Sequence, residues 1–200
     1  MCGIAGIYNS KLDPSLQMDG QNRMMGYMYH RGPDDSGIES FGNCILGQTR
    51  LSIIDISKQA RQPFTNKRGE ISITVNGEIY NYKEIRKELI NRGYQFQSNS
   101  DSEVVLHGYI EWGTSLFERL RGMFAIAIYD KVKDELILSR DRLGIKPLYY
   151  SQQDGSTIFA SEIGAILASN IIKSEFNISS LYSYLFLGYM PEGIVPIKNI

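Results

Sequence analysis

Cysteine and histidine are scarce: Cys2, Cys44, His30 and His107 are the only ones in 200 residues. Two cysteines are too few for a disulfide framework, and no Cys-x-x-Cys pair occurs. The same scarcity argues against a zinc site built from His and Cys. An excess of either charge is also missing. Lys+Arg number 21 and Asp+Glu 22, a net charge of -1, so the basic stripe of a nucleic-acid or membrane-surface protein is absent. The longest apolar run, Met123 to Tyr129, is seven residues, far below the roughly 18 that span a bilayer. The first fifteen residues hold no continuous apolar segment of a secretory signal. A reduced, cytoplasmic setting is the expectation.

The length, at about 150 residues per domain, predicts one domain with room for the start of another. The last thirty residues carry only four charges (Lys173, Glu175, Glu192 and Lys198) and are otherwise aromatic and apolar. Short strands are expected at Gly3–Tyr8, Ser36–Phe41 and Ile45–Ile54, the last two around a Phe41-Gly-Asn43 turn. Leu16–Tyr29 reads as a helix ended by Arg31-Gly-Pro33. Arg61–Arg68 reads as a polar loop. Ile71, Ile73 and Val75 alternate with polar residues, as in a half-buried strand. Asn81–Glu84 and Ser100–Glu103 have capping-box spacing, opening one helix with a face of Ile85, Leu89 and Ile90 and another with Val105, Tyr109 and Trp112. Met123–Asp130 and Glu135–Arg140 form a hairpin, Pro147–Gln152 and Thr157–Ser161 give two further strands, and Ser179–Leu187 a final helix. Consecutive late strands favour antiparallel pairing and a layered α+β fold.

Some motifs fail on inspection. Gly42–Thr49 approaches a phosphate-binding loop, but Gln48 stands where Lys is needed and the segment reads as a strand. Asn177-Ile-Ser179 matches a glycosylation acceptor, with no meaning in a cytoplasmic chain.

Four places can carry chemistry. Removal of Met1 would leave Cys2 with a thiol and its own α-amine, whose pKa of roughly 7.7–8.0 suits a general base. The alternative is a cysteine merely buried beside a strand. Asn76-Gly77-Glu78 is either a tight hairpin turn or an oxyanion hole made of an amide side chain and a backbone N–H. Arg50 is either an edge-strand residue facing water or a fork for a carboxylate. Asp101 sits in a helix cap and could also hold an ammonium group. Together these groups suit a zwitterionic amide, and glutamine has those features.

These residues lie in motifs that resemble the N-terminal glutaminase domain of glutamine-dependent asparagine synthetases, a class II glutamine amidotransferase. The motifs are Met1-Cys-Gly-Ile-Ala-Gly6, His30-Arg-Gly-Pro-Asp-Asp-Ser-Gly37, Arg50-Leu-Ser-Ile-Ile-Asp55, Asn76-Gly-Glu-Ile-Tyr-Asn81, Ser100-Asp-Ser-Glu-Val104, Arg140–Tyr149 and Phe159-Ala-Ser-Glu162. The resemblance implies a four-layer αββα sandwich of the N-terminal nucleophile hydrolase type. It makes Cys2 the nucleophile and Asn76 and Gly77 the oxyanion hole. Arg50 would bind the glutamine carboxylate, Asp101 and Glu78 its amine, and the backbone of Leu51, Ser52, Ile53 and Ile54 would line the pocket. Cys44 becomes a core residue, and His30 an organiser of the Arg31–Asp34 loop.

No metal or cofactor is implied in this chain. ATP and magnesium belong to a C-terminal synthetase domain absent here, with residues 1–180 forming the glutaminase domain and 181–200 the start of the linker. A homodimer is one assembly open to the family. The same chemistry could instead feed a sugar or cell-surface polymer acceptor, or the fold could serve as a non-enzymatic scaffold.

Overall fold

The computed structural model describes residues 1–8, 11–51, 55, 57–191 and 193–200. Two antiparallel sheets are stacked between helices. The first has the order β2-β3-β1-β9-β8, built from β1 (Gly3–Tyr8), β2 (Asp35–Phe41), β3 (Cys44–Arg50), β8 (Tyr149–Gln153) and β9 (Ser156–Ala160). The second has the order β4-β5-β6-β7, from β4 (Phe64–Thr65), β5 (Ile71–Ile79), β6 (Gly122–Asp130) and β7 (Glu135–Arg140). Helices α1 (Pro14–Tyr27) and α5 (Ile163–Ala168) cover the first sheet. Helices α2 (Tyr82–Asn91) and α3 (Glu103–Trp112), followed by the short α4 (Leu116–Arg119), cover the second. Helix α6 (Ile178–Leu187) follows near the C-terminus.

The core divides according to these layers. Ala5, Ile7, Met24, Met28 and Ile166 pack between the first sheet and α1 and α5. Ile4, Leu46, Ala125, Ala127, Tyr129 and Phe159 fill the space between the sheets. Ile73, Val75, Leu89, Val105 and Ile126 belong to the cluster between the second sheet and α2 and α3. The architecture is therefore the αββα sandwich that the resemblance implied. Strand β1 is buried on both faces because it lies mid-sheet, with α1 on one side and the second sheet on the other. This explains why Gly3-Ile-Ala-Gly-Ile-Tyr8 shows no polar alternation. Each Ile or Leu buried this way contributes about 1.5–3 kcal/mol.

Several local expectations are corrected. The first helix starts two residues early, at Pro14, because Asp13 accepts the Ser15 N–H (2.8 Å) and Pro14 fits the first turn. It ends at Tyr27, and Tyr29, its expected last residue, opens a separate 3-10 turn, Tyr29–Arg31. The polar loop at 61–68 contains β4. Neither capping box closes as expected. Asn81 bridges instead to Arg119 O (3.0 Å) and Arg121 N (2.9 Å). Glu103 accepts from Gln97 N and Ser98 N, both at 2.8 Å, bracing the preceding segment. Ile90 is exposed, so the buried face of α2 is Ile85 and Leu89. The Asn177 side chain accepts the Ser180 N–H (3.4 Å), so the glycosylation-like motif is a helix cap. Among the described residues no helix is long and apolar enough to cross a membrane.

Candidate active site

Strand β5 decides the site. The expectation ended it near Val75, yet it runs unbroken to Ile79, with Gly77 opposite Phe124 of β6. Asn76-Gly77 is therefore not a hairpin turn. Partner β4 reaches only Ile73, so the remaining edge of β5 is open to other groups. Backbone N–H groups on that edge recur every second residue. Val75 N donates to Gln62 Oε1 (2.7 Å) and Ile79 N to Asp101 Oδ2 (2.7 Å). Gly77 lies midway between them. Phe124 confirms which way Gly77 faces: its own N–H and C=O bond to Asp141 (3.2 and 2.8 Å) rather than across to Gly77. The Gly77 N–H therefore points to the open edge, and no acceptor among the described residues takes it.

Only glycine fits there. Its φ is +156°, and an added Cβ would meet Met123 O at 2.0 Å and the Phe124 Cα at 2.6 Å.

That edge borders a cavity of about 120 Å³, which gathers Cys2, Arg50, Asn76, Gly77, Glu78 and Asp101, with Leu51 beside them. Cys2 immediately precedes β1. Its sulfur accepts the Leu51 N–H at 3.4 Å and faces Leu51 O at 3.6 Å. Asn76 is buried, and its Nδ2 reaches Ser161 Oγ at 3.4 Å. An amide nitrogen has two donors, so one is left for a ligand.

Arg50 is buried at the end of β3, an interior strand, which removes the edge-strand reading. Its guanidinium donates to Ser57 O (3.1 Å) and to Asp55 O. These are neutral carbonyls, and among the described residues no carboxylate lies within ion-pair distance. Its charge is thus still available to an anion. Asp55 in turn accepts from Ser57 N and Asn99 N, both at 2.8 Å, tying the segment after β3 to the one before α3. The Ser57 hydrogen bonds hold the Asp55 carboxyl below its ordinary range. Ser52, Ile53 and Ile54 lie outside the described residues.

Asp101 and Glu103, two residues apart, meet opposite fates. Burial pushes the Asp101 carboxyl up, and the nearby Glu78 charge adds to the rise, against the hydrogen bond from Ile79 N. Burial would also raise Glu103, but the nearby His107 ring and hydrogen bonds from Ser98 and Gln97 outweigh it and hold it at about 2. The His107 contact is the loosest, with Nε2 at 3.4 Å from Glu103 Oε1. Asp101 faces the cavity, and Glu103 braces the segment that presents it. A carboxylate raised by desolvation would be relieved by an incoming cation.

Sequence reasoning missed the groups that fix Cys2. Arg31 Nε donates to Cys2 O (3.0 Å), while its Nη1 pairs with Glu162 (2.9 Å). The Ser161 Oγ accepts the Ile4 N–H (3.0 Å) as well as facing Asn76, joining the two sheets behind the cavity. Both belong to motif blocks visible in the sequence, but nothing in the pattern alone assigns them partners more than a hundred residues away. His30 bonds to Tyr27 O (3.1 Å) and Glu162 (2.9 Å), so it acts on the Arg31 segment only through Glu162. Cys44 is fully buried in β3, and burial pushes its thiol up, away from reactivity. Among the described residues no cluster of three or more His, Cys, Asp or Glu could hold a metal ion.

Residues 1–200 match the glutamine amidotransferase domain family. The chain is 40% identical to Bacillus subtilis (strain 168) asparagine synthetase [glutamine-hydrolyzing] 3, over 94% of this chain and 31% of that protein. It is 43% identical to Escherichia coli (strain K12) asparagine synthetase B [glutamine-hydrolyzing], over 84% of this chain and 30% of that protein. It thus spans under a third of the length of these two relatives. The B. subtilis glutamine phosphoribosylpyrophosphate amidotransferase, solved with ADP and GMP, shares the fold at a TM-score of 0.69 and 21% identity. That match covers 84% of this chain and 44% of the other. The solved allosteric regulatory enzyme of purine biosynthesis gives 0.68 at 21% identity, covering 84% and 43%.

Proposed function

The chain belongs to the glutamine amidotransferase domain family, and we propose that its cavity hydrolyses glutamine to glutamate and ammonia through the thiol of Cys2. The observation that carries this reading is the Gly77 N–H, unpaired among the described residues and held on a strand edge beside Cys2, with Arg50 and Asp101 in the same cavity. Arg50 takes the α-carboxylate of glutamine, with its guanidinium otherwise held, among the described residues, by carbonyls. Asp101, with Glu78, takes the α-ammonium. Held at those two ends, the side-chain amide lies against Cys2.

Removal of Met1 frees the Cys2 α-amine. The thiol proton passes to that amine as sulfur attacks the amide carbon. The oxyanion is held by the Asn76 side chain and the Gly77 N–H, donors fixed in place before the charge develops. The C–N bond then breaks, the amine returns its proton to the leaving nitrogen, and ammonia departs. Water attacks the γ-glutamyl thioester, releasing glutamate and restoring the thiol. The nucleophile carries its own base, so no histidine is needed in the cavity. A thiol with this duty suits a reducing compartment such as the cytoplasm.

The relatives' names and lengths support a further step. The ammonia is delivered to an ATP- and magnesium-dependent synthetase domain that makes asparagine from aspartate. Residues 1–180 are the glutaminase unit, and residues 181–200, which hold most of α6, lead toward that partner.

The test is glutamate release from glutamine by protein whose mass shows Met1 removed, together with labelling by an electrophilic glutamine analogue. Adduct on Cys2 and release of glutamate support the reading. Adduct on Cys44 or any other residue overturns it.

A further inference from the structure

Lys146 is a cation that the proposed reaction leaves unused. It lies between β7 and β8, and its backbone is held twice. Its N–H donates to Asp141 Oδ2 (3.0 Å), and its carbonyl accepts from Arg140 Nε (2.8 Å). The same Asp141 carboxylate takes the N–H of Phe124, the residue opposite Gly77. Lys146 is therefore fixed relative to the strand that carries the proposed oxyanion donor.

Lys146 is only 6% exposed and lines the cavity with Cys2. Its Nζ donates to the Met1 thioether at 3.4 Å. Among the described residues no carboxylate lies within ion-pair distance of it. A buried ammonium whose side-chain partner is a thioether is poorly compensated. Met1 is bonded directly to the Cys2 nitrogen, so its removal takes that partner away and leaves an α-amine next to the space it filled.

We propose that Lys146 is an electrostatic positioning residue that keeps the freed Cys2 α-amine uncharged and ready to accept the thiol proton. This rests on the glutaminase reading of the cavity. A neighbouring like charge disfavours protonation. The other charged groups around the cavity do not supply this effect. Arg31, from the turn after α1, sits on the Cys2 carbonyl with its charge met by Glu162. Arg50, at the end of β3, is held by the Asp55 and Ser57 carbonyls and assigned to the substrate carboxylate. Glu78 on β5, Asp101 before α3 and Asp55 after β3 all favour the charged amine. Lys146 is the cation that opposes them from the side Met1 occupied.

The experiment uses the full chain lacking Met1 and labelled with ¹⁵N-cysteine, following the α-amine resonance against pH. The expected midpoint is about one unit below the ordinary range of roughly 7.7–8.0. Lys146→Met and Lys146→Gln raise it by about one unit, and the acidic limb of kcat/KM for glutamate release moves upward with it. Lys146→Arg keeps both near the wild-type positions. A wild-type midpoint at or above the ordinary range overturns the inference, and this measurement needs no variant to fold. So does a loss of activity that is the same at every pH, the mark of a merely structural role. Processed protein that shows the low midpoint but releases no glutamate would sink the glutaminase reading and leave the placement of Lys146 intact.

Discussion

The cavity and helix α6 each lack something a closed fold would have, and they lack opposite things. At the cavity, polar groups keep bonding capacity that no described residue fills: the N–H of half-buried Gly77, and one donor of Asn76, the Arg50 charge and the Asp101 carboxylate, all three buried. At α6, apolar groups stand in solvent. Phe186 is 90% exposed, Leu185 71% and Tyr182 70%, and Ser180 is the helix's only buried residue. Vacant polar capacity inside a small cavity calls for a small polar ligand. A contiguous apolar surface calls for another protein surface. Substitutions at the two places should therefore fail in different measurements.

The largest effect belongs to Cys2→Ala. It removes the proposed nucleophile, so glutamate release should fall by about 10⁴-fold or more. The thiol's described contacts are only with the Leu51 backbone, so the unfolding midpoint should hardly move. Residual turnover above about 1% of wild type, by the logic of a lost nucleophile, would break the assignment.

Gly77→Ala comes next and blurs the contrast on purpose. The new Cβ would overlap the β6 backbone at Met123 and Phe124. Activity should drop by about 10²–10³-fold, and urea unfolding should show a loss of about 2 kcal/mol from the forced backbone shift. An alanine variant with wild-type kinetics would show that Gly77 does not serve the reaction.

Asp101→Asn sharpens the comparison most, because it should cut binding while sparing stability. KM for glutamine should rise on the order of 10²-fold from a lost buried charge pair. Asn keeps an acceptor for the Ile79 N–H and removes a desolvated charge, so thermal stability should hold or rise. Burial, helped by Glu78, raises the Asp101 carboxyl. Glutamine affinity should therefore weaken as pH falls through a midpoint above the ordinary value of about 3.9. Affinity flat down to pH of about 4 would contradict this.

Glu103→Gln should do the reverse, lowering stability by about 2 kcal/mol at neutral pH through weakened charged hydrogen bonds. Glu103 is held at about 2 in the folded chain, below its ordinary value of about 4.3. Its contribution is full above that ordinary value and lost as pH falls toward the folded one. Urea unfolding of both proteins at neutral pH and near pH 3 should show the gap closing on acidification.

Much of this was legible in the sequence, for identifiable reasons. Alternation and turn residues located the strands, and Cys2, Arg50, Asn76, Gly77 and Asp101 could be named because each sits in a contiguous motif with its own chemistry. Three other matters depended on tertiary pairing. Asn76-Gly77 looks like a turn until β6 is laid beside it. The capping spacing at Asn81 and Ser100 was real, but Arg121 and Ser98 offered stronger partners. Arg31, Ser161 and Lys146 act on residues 29 to 157 positions away, a separation that no local pattern encodes.

The smallest effect is expected at α6, and it tests the other half of the contrast. The helix is properly made, with Asn177 capping its start and Gly188 in the left-handed conformation at its end. Its exposed apolar face is thus not the result of a poorly specified segment. A ten-residue helix is marginal in water without packing, and this one buries almost nothing of its own. Leu185→Ser with Phe186→Ser should change the unfolding free energy by no more than about 0.5 kcal/mol and leave glutamate release alone. Self-association at high protein concentration should fall, as read by sedimentation. A destabilisation of about 2 kcal/mol or more would place α6 in the folded unit and end the contrast. The expected result would instead mark α6 as a surface whose stabilising contacts come from a neighbour, in keeping with relatives of which this chain matches under a third.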